Sequence, residues 1–337
     1  MSEKYNYPID IVIPWVDGSD EKWISEKNRY AEEITNSVHD YNYKDWGLLK
    51  YWFRSIEENA PWVRYIYFVT CGQIPDWMNT KSNPKLRVVF HDQYIPKEYL
   101  PTFSSHVIEL NFHRLPGLAE HFVYFNDDMY LIKKTDRKLF FKNGLPCDSA
   151  VVNPIAPASR NVISHLMLTN AAVINENFSK HKVIKSHPLK WFNPKYGIYN
   201  LLSLMFIPWG RFPGLYEQHL PASYLKSTFQ EVWDKEPEIL DQTCRHKFRD
   251  FKTDVNQWLM KDWQVVEGKF EPRRVSCGRA FQVKNMEDAQ KVEIAIKHHK
   301  YNLICVNDHV EDDEERVIGR IIRAFESEYP NKSSFEL

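Results

Sequence analysis

The stretch from His121 to Lys133, His-Phe-Val-Tyr-Phe-Asn-Asp-Asp-Met-Tyr-Leu-Ile-Lys, constrains this chain more than any other. Its aromatic and β-branched run to Phe125 reads as a buried strand. Apolar residues resume at Met129 and continue to Ile132. Between the two runs stand Asn126, Asp127 and Asp128. Carboxylates that close to a core must be paired or bound to metal, because an isolated buried charge is costly. Two readings fit. One is a divalent-cation site of hard oxygen ligands at a strand end. The other is an Asx-type turn in a hairpin, with Asn126 and Asp127 at the turn positions. The stretch alone does not choose between them.

Composition excludes several classes. A chain of 337 residues is long enough for a substantial core in one large or two modest domains. Lys and Arg number 44 against 45 Asp and Glu, so no overall positive field favours nucleic acid, and any anion site must be local. An aromatic content of 15% suits a binder of rings, sugars or bases, although much of it must be core. The cysteines number 5, an odd count, and none form a C-x-x-C pair. That argues for a reduced, cytoplasmic compartment without structural zinc. No signal-peptide core appears at the N-terminus, and no stretch approaches the ~20 apolar residues of a membrane span.

From the N-terminus, the pattern is that of an α/β protein. Ile9 to Val16 reads as a strand, Asp17-Gly18-Ser19-Asp20 as a turn with a helix cap, and Glu21 to about residue 34 as a helix. A second helix is expected over 45–60, with Trp46, Leu49, Phe53 and Ile56 on one face. Strands follow at Arg64–Thr70 and Leu86–Phe90. Polar residues recur just past the strands: Asp17, Thr70 and Gln73, His91 and Asp92, Asp127 and Asp128. Ligands bind at that edge of an open α/β sheet, and the coincidence favours a site over a turn. Asp17 there can take a ribose or base hydrogen bond, or serve only in a tight turn.

The later regions are read more coarsely. His106, Glu109 and His113 share one helix face within 101–118, either lining a pocket or facing solvent, the latter being commoner. Residues 133–161 read as loops and 163–185 as helix. Tyr199 to Trp209 is apolar but too short to span a bilayer. It fits a core segment, or an interfacial patch between Lys195 and Arg211; we take it as core. A helix is expected from His219 to about Lys235. Arg245, Lys247, Arg249 and Lys252 can together hold a pyrophosphate, although a solvated basic helix face is the usual meaning of such a cluster. The last strand, Asn302–Val306, ends in Asn307-Asp308-His309. The acidic run that follows suits a helix N-terminus.

Four of these blocks together resemble the Stealth family of sugar-phosphate transferases. They are Ile9 to Asp20; 45–131, including Phe90-His-Asp-Gln-Tyr-Ile-Pro96 and Phe125-Asn-Asp-Asp-Met129; His219 to about Trp263, including His246-Lys-Phe-Arg249; and Ile304-Cys-Val-Asn-Asp-His309. The expected fold is α/β, a mostly parallel central sheet flanked by helices, Rossmann-like or GT-A-like as in nucleotide-sugar transferases, with a helical C-terminal half. It is expected as one domain over 1–330: a nucleotide-binding α/β part (1–160), a mainly helical acceptor and phosphate part (161–265), and a closing strand and helix (266–330). The resemblance implies transfer of a sugar-1-phosphate from a UDP-sugar to a saccharide hydroxyl, with release of UMP. The acceptor it implies is lipid-linked, which brings peripheral membrane association with it. It implies Mg²⁺ or Mn²⁺ on Asp127, Asp128 and Asp308. Arg249 would neutralise the phosphoryl group, and His219 would act as base, with His309 and Asp308 as the next candidates. Asp17, Gly18, Arg245 and Asn307 would bind the donor. Competing readings are a metal-dependent glycosyltransferase that releases UDP and a non-catalytic carbohydrate-binding protein.

Overall fold

A computed structural model describes residues 7–31, 46–160, 162–310 and 313–337. The expected end of the first helix (32–34), the start of the second (45) and two members of the acidic run (311 and 312) lie outside the described residues. The strands in chain order are β1 (Ile9–Pro14), β2 (Ile66–Thr70), β3 (Leu86–Phe90), β4 (His121–Tyr124), β5 (Met129–Leu131), β6 (Phe141–Lys142), β7 (Leu145–Asp148), β8 (Ala222–Leu225), β9 (Glu271–Pro272), β10 (Gly278–Val283) and β11 (Leu303–Asp308). The helices are α1 (Glu21–Ala31), α2 (Leu49–Asn59), α3 (Ser105–Leu110), α4 (Ile163–Asn177), α5 (Lys180–Ser186), α6 (Pro188–Trp191), α7 (Tyr199–Met205), α8 (Lys226–Lys235), α9 (Pro237–Arg245), α10 (Gln257–Val266), α11 (Met286–Lys297) and α12 (Glu314–Glu328).

The central sheet has the order β3-β2-β1-β4-β8. The first four strands run parallel, and β8 pairs antiparallel with β4. The expected mostly parallel α/β sheet is therefore present. Side chains alternate across a strand, so β1 serves two cores. Ile9, Ile11 and Ile13 pack with α2, α11 and α12 residues such as Trp52, Val292 and Phe325. Val12 joins the opposite core, with Val107 of α3, Phe229 of α8 and Leu259 of α10. Both faces are covered, which is why the parallel strands are nearly continuously apolar.

Asp10 is the exception in β1. It is fully buried, and Arg64 holds it with a two-pronged pair at 2.8 and 2.6 Å. The amides of Ala119 and Tyr65 donate to the same carboxylate. This pair ties β1 to the start of β2 and to the segment entering β4.

The hairpin reading of 121–132 is overturned. β4 lies in the central sheet, while β5 belongs to a second sheet of order β10-β11-β5, antiparallel to β11. Asn126-Asp127-Asp128 is thus the crossing between two sheets. A third small sheet, β6-β7-β9, lies beyond.

Three other expectations are corrected. Residues 222–225 form β8 rather than the start of a helix, because strand β4 offers an open edge that the apolar Ala-Ser-Tyr-Leu run completes. Residues 246–256 contain no helix, so the basic cluster has no helix face. The apolar stretch at 199–209 is not core: Ile198, Leu201, Leu204, Met205 and Trp209 are all exposed. Its inward side is instead filled by Tyr199, Leu202 and Ser203. Among the described residues no helix is long and apolar enough to cross a membrane. All five cysteines are unpaired.

Replacing Arg64 with Ala leaves Asp10 buried with amide donors only. The expected loss is about 3 kcal/mol, at the low end for breaking a buried pair because Arg64 is 34% exposed. Urea unfolding checks it, and a loss below about 0.5 kcal/mol makes the pair incidental.

Candidate active site

A cleft of about 1130 Å³ runs across the carboxyl edge of the central sheet and into the second sheet. That is slightly above the usual range for small-molecule sites. Strand pairing explains which side chains meet there. In the β4–β8 register Tyr124 faces Ala222, so the residues preceding β8 run past the end of β4. That places His219 beside Asp128, Nε2 to Oδ2 at 3.3 Å. In the β5–β11 register Met129 faces Cys305, so Val306 N donates to Asp128 O at 2.8 Å. Asn307, Asp308 and His309 follow directly on the same rim.

Asp128 sits at the centre of this corner. The Cys305 thiol donates to its Oδ2 at 3.0 Å, and burial and then the carboxylate hold that thiol protonated. Its Oδ1 is buried with no hydrogen-bond partner. Burial disfavours a charge on His219, but Asp128, with Glu109 beyond it, outweighs burial and raises the imidazole pKa above its ordinary value. Asn126 Nδ2 lies 3.4 Å from the same ring nitrogen.

Glu109 is the residue that the sequence reading left undecided. It is 5% exposed and lines the cleft. The hydroxyl of Tyr124 donates to its Oε1 at 2.9 Å, and its Oε2 is buried with no partner. His106 lines the cleft beside it, whereas His113 points away, between Phe229 and Trp233.

The His-Lys-Phe-Arg segment after α9 separates its side chains by task. His246 Nδ1 lies 2.6 Å from Asp254 Oδ1. Lys247 Nζ donates to the carbonyls of Tyr99 and Leu100. Phe248 stacks on Phe103 at 5.2 Å. Arg249 alone of the four expected cations reaches the cleft, and its Nε is buried without a partner. Arg245 is instead exposed and paired with Asp241 at 2.7 Å, one helical turn away. Lys252 is exposed, and neither it nor Lys247 lines the cleft.

Asp17 and Gly18 stand next to Val16 but outside the cleft lining. The Asp17 carboxylate accepts from Ser19 N and Oγ, and Gln73 clasps the Asp17 backbone at 2.9 and 3.0 Å. Asp20 caps α1 through Lys22 N and Trp23 N. The tight-turn and cap reading of that segment is therefore what the structure contains.

Donor chemistry limits what metal this corner could hold. Asp127, Asp128 and Asp308 all line the cleft, but they do not converge as a ligand trio. Asp308 Oδ2 accepts from Trp46 Nε1 at 3.0 Å and Oδ1 from Val310 N at 2.9 Å. Among the described residues the one group of three converging donors is Asp128, His219 and Cys305. Thiol and imidazole suit softer ions than Mg²⁺, and here the thiol keeps its proton. Hard-oxygen ligation of a cation would thus fall to Asp127 and Asp128, with the unpartnered Asp128 Oδ1 as the open position. Mg²⁺ is commonly held by one or two carboxylates together with substrate phosphates, and these residues fit it.

Fold and cleft define an α/β protein with a large cleft, rich in titratable side chains, at the carboxyl edge of its sheet. Comparison with known proteins is specific. The family models of Stealth protein conserved regions 1 and 2 match residues 7–34 and 42–147. The capsular polysaccharide phosphotransferase WcwK of Streptococcus pneumoniae is 40% identical over 97% of this chain and 98% of its own. The exopolysaccharide phosphotransferase cps2G of Lactiplantibacillus plantarum is 39% identical over 98% and 96%. The receptor polysaccharide phosphotransferase WefC of Streptococcus oralis is 37% identical over 98% and 99%. Among solved structures, the apo form of the bifunctional glycosyltransferase WbbM matches with a TM-score of 0.42 at 11% identity, over 96% of this chain and 50% of that one. This last likeness is too loose to carry an argument. The chain belongs to the Stealth family and is a sugar-phosphate transferase.

Asp254 anchors the loop that carries Arg249. It is fully buried between His106 and His246, and Asp250 N also donates to it. Burial disfavours its charge, but the two histidines outweigh burial and lower its pKa. The hydrogen bond to Asp254, against burial and with help from Asp250, raises that of His246. The signs set a window. The depressed Asp254 contributes stability above its ordinary 3.8, lost as pH falls through its lowered value. The raised His246 contributes below its ordinary 6.5, lost as pH rises through its raised value. Amide exchange in the 246–256 loop, corrected for intrinsic rate, should be slowest between those limits, and Asp254→Asn should flatten the profile. A loop equally protected across that range in both proteins contradicts the assignment.

Proposed function

We propose that this enzyme transfers a hexose-1-phosphate or N-acetylhexosamine-1-phosphate from a UDP-sugar to a hydroxyl of a growing, lipid-linked surface polysaccharide. Phosphate transfer onto polysaccharide is the activity named in the capsular and exopolysaccharide relatives. The observation that carries the finer reading is the convergence of Asp128, His219, Glu109 and Arg249 in one cleft. Attack falls on the β-phosphorus. The acceptor oxygen forms a bond to phosphorus as the bond to the UMP oxygen breaks, and the anomeric bond stays intact. The acceptor proton passes to the enzyme, and UMP leaves.

Phosphoryl transfer needs positioning and charge neutralisation more than covalent help. The Arg249 guanidinium is the cation for the transferring oxygens, and its unpartnered Nε supports this. His219 is the base for the acceptor proton. Asp128 occupies its Nε2 side, orients the ring and makes it more basic, which leaves Nδ1 for the acceptor. Glu109, oriented by Tyr124, adds negative potential behind that ring. Asp127 and Asp128 would hold Mg²⁺ or Mn²⁺ against the diphosphate, where the ion would neutralise developing charge. Asp308 is reassigned to tying Trp46 to the rim, and His309 and Asn307 remain rim residues beside the donor. With Arg245, Asp17 and Gly18 outside the cleft, seating of the donor falls to the cleft's aromatic walls and to Arg249. Work at the cytoplasmic face of the membrane follows from a lipid-linked acceptor.

Incubation with UDP-sugars, divalent cation and a saccharide acceptor should release UMP; UDP would identify a glycosyltransferase and overturn the reading. Asp128→Ala should abolish turnover with the fold intact. His219→Ala is expected to cost about two to four decades in kcat, and Arg249→Lys about two to three, because the fork geometry is lost. Glu109→Gln should cost about one to two decades. Near-normal rates in these variants would remove the corresponding roles.

A further inference from the structure

Residues 177–216 hold six Lys or Arg (180, 182, 185, 190, 195 and 211) and no Asp or Glu, in a chain whose overall net charge is only -1. Three of the six are engaged, but by carbonyls that leave their charge uncompensated. Lys180 Nζ donates to the carbonyls of Phe206, Ile207 and Trp209. Lys190 Nζ donates to Gly268 and Phe270, and Lys195 Nζ to Pro272 at 2.6 Å. Lys182, Lys185 and Arg211 stand exposed. This segment is therefore a local concentration of positive charge.

The same segment turns its apolar side chains outward. Ile198, Leu201, Leu204 and Met205 recur at i, i+3, i+6 and i+7 through α7, one helix face. Ile198 is 76% exposed and Met205 68%, and Trp209, just past the helix, is 58% exposed. On the inner side sits Ser203, 1% exposed, its hydroxyl accepting from Val152 N at 3.0 Å. Amphipathic sorting would place Leu or Met inside and Ser outside. Here most of the large aliphatic side chains face out while a Ser is buried inside, so the apolar face serves something other than this chain's own core.

We propose that the outer face of α7, with Trp209, docks on an anionic lipid bilayer. Large aliphatic and Trp side chains flanked by Lys and Arg are the pattern of an interfacial helix. The uncompensated cations attract acidic headgroups. A second copy of this chain is disfavoured as the occupant, since self-docking sets like charges face to face. The face also adjoins the cleft: Tyr199, the first residue of α7, lines it and packs on Tyr216 at 5.0 Å. A lipid-linked acceptor would thus meet the cleft at the membrane surface. That last link rests on the proposed function; the docking itself does not.

The test uses the full chain and vesicles of phosphatidylcholine, with and without phosphatidylglycerol. Two variants are compared, Leu201→Glu with Met205→Glu, and Lys182→Glu with Lys185→Glu. All four positions are exposed, and melting curves check the fold. Wild type should sediment with the anionic vesicles, each variant should bind at least about tenfold more weakly, and turnover of a water-soluble acceptor should be unchanged. The proposal is overturned if wild type stays in solution, or if the Leu201→Glu, Met205→Glu variant binds undiminished. It is also overturned if light scattering finds a dimer that these variants dissociate. Failure of UMP release with normal vesicle binding would instead sink the catalytic reading alone.

Discussion

Asp128 joins two sheets and equips the cleft with the same residue. Its carbonyl takes the amide of Val306, which aligns the second sheet against the first. Its carboxylate takes the Cys305 thiol and faces His219. A half-buried carboxylate is tolerated only with such partners, because desolvation outweighs an unpaired charge. The crossing between β4 and β5 therefore depends on elements from 219 and 305, far away in sequence. The carboxylate at the cleft corner is stable only once distant strands have closed around it.

Several features of this arrangement were legible in advance. Continuous apolar runs marked the parallel strands, because both sheet faces are covered. The acidic pair between two apolar runs marked a corner that lines the cleft, because charge so close to core needs a reason. What could not be read was direction. Glu109 and the α7 stripe show this from opposite sides: the sequence leaves the polar residue open between pocket and solvent, and it favours core for the apolar run. In each case tertiary packing, and not local pattern, decides which side faces in. β8 was missed for another reason. Ala-Ser-Tyr-Leu has no strong strand signature, and only the free edge of β4 makes it a strand. Arg245 and Arg249 looked equivalent in sequence, yet α9 ends between them, so one stays on a helix surface and the other turns inward.

The approach to His219 is braced from below. Lys261 is buried and pairs with Glu217 at 2.5 Å, with Asp148 at 3.7 Å. Burial opposes the charge on Lys261, but these acids outweigh it, and its pKa is raised. Burial first, and then Glu217, raise the pKa of Asp262 in the same group well above its ordinary 3.8. Burial and Glu217 thus disfavour a third charged acid beside Lys261, which pairs with Glu217 and Asp148. Glu217 is two residues from His219 and lines the cleft. The network therefore fixes the backbone from which the imidazole projects, at a depth where water could not.

α7 links this machinery to the outside. Its first residue is in the cleft wall, its buried Ser203 is bonded to Val152, and Lys180 caps the carbonyls at its far end. A helix held at both ends and at its middle has little freedom to adjust when its outer face meets a surface. Contact on Ile198, Met205 and Trp209 then fixes the orientation of the whole cleft relative to that surface. For a substrate confined to a plane, such alignment acts as positioning does inside an active site, by removing orientations before the reaction begins. An outward apolar face on α7 is the cost of that arrangement, and the uncompensated lysines of the preceding segment, 180–195, follow from the same requirement, since acids beside them would repel the headgroups they face.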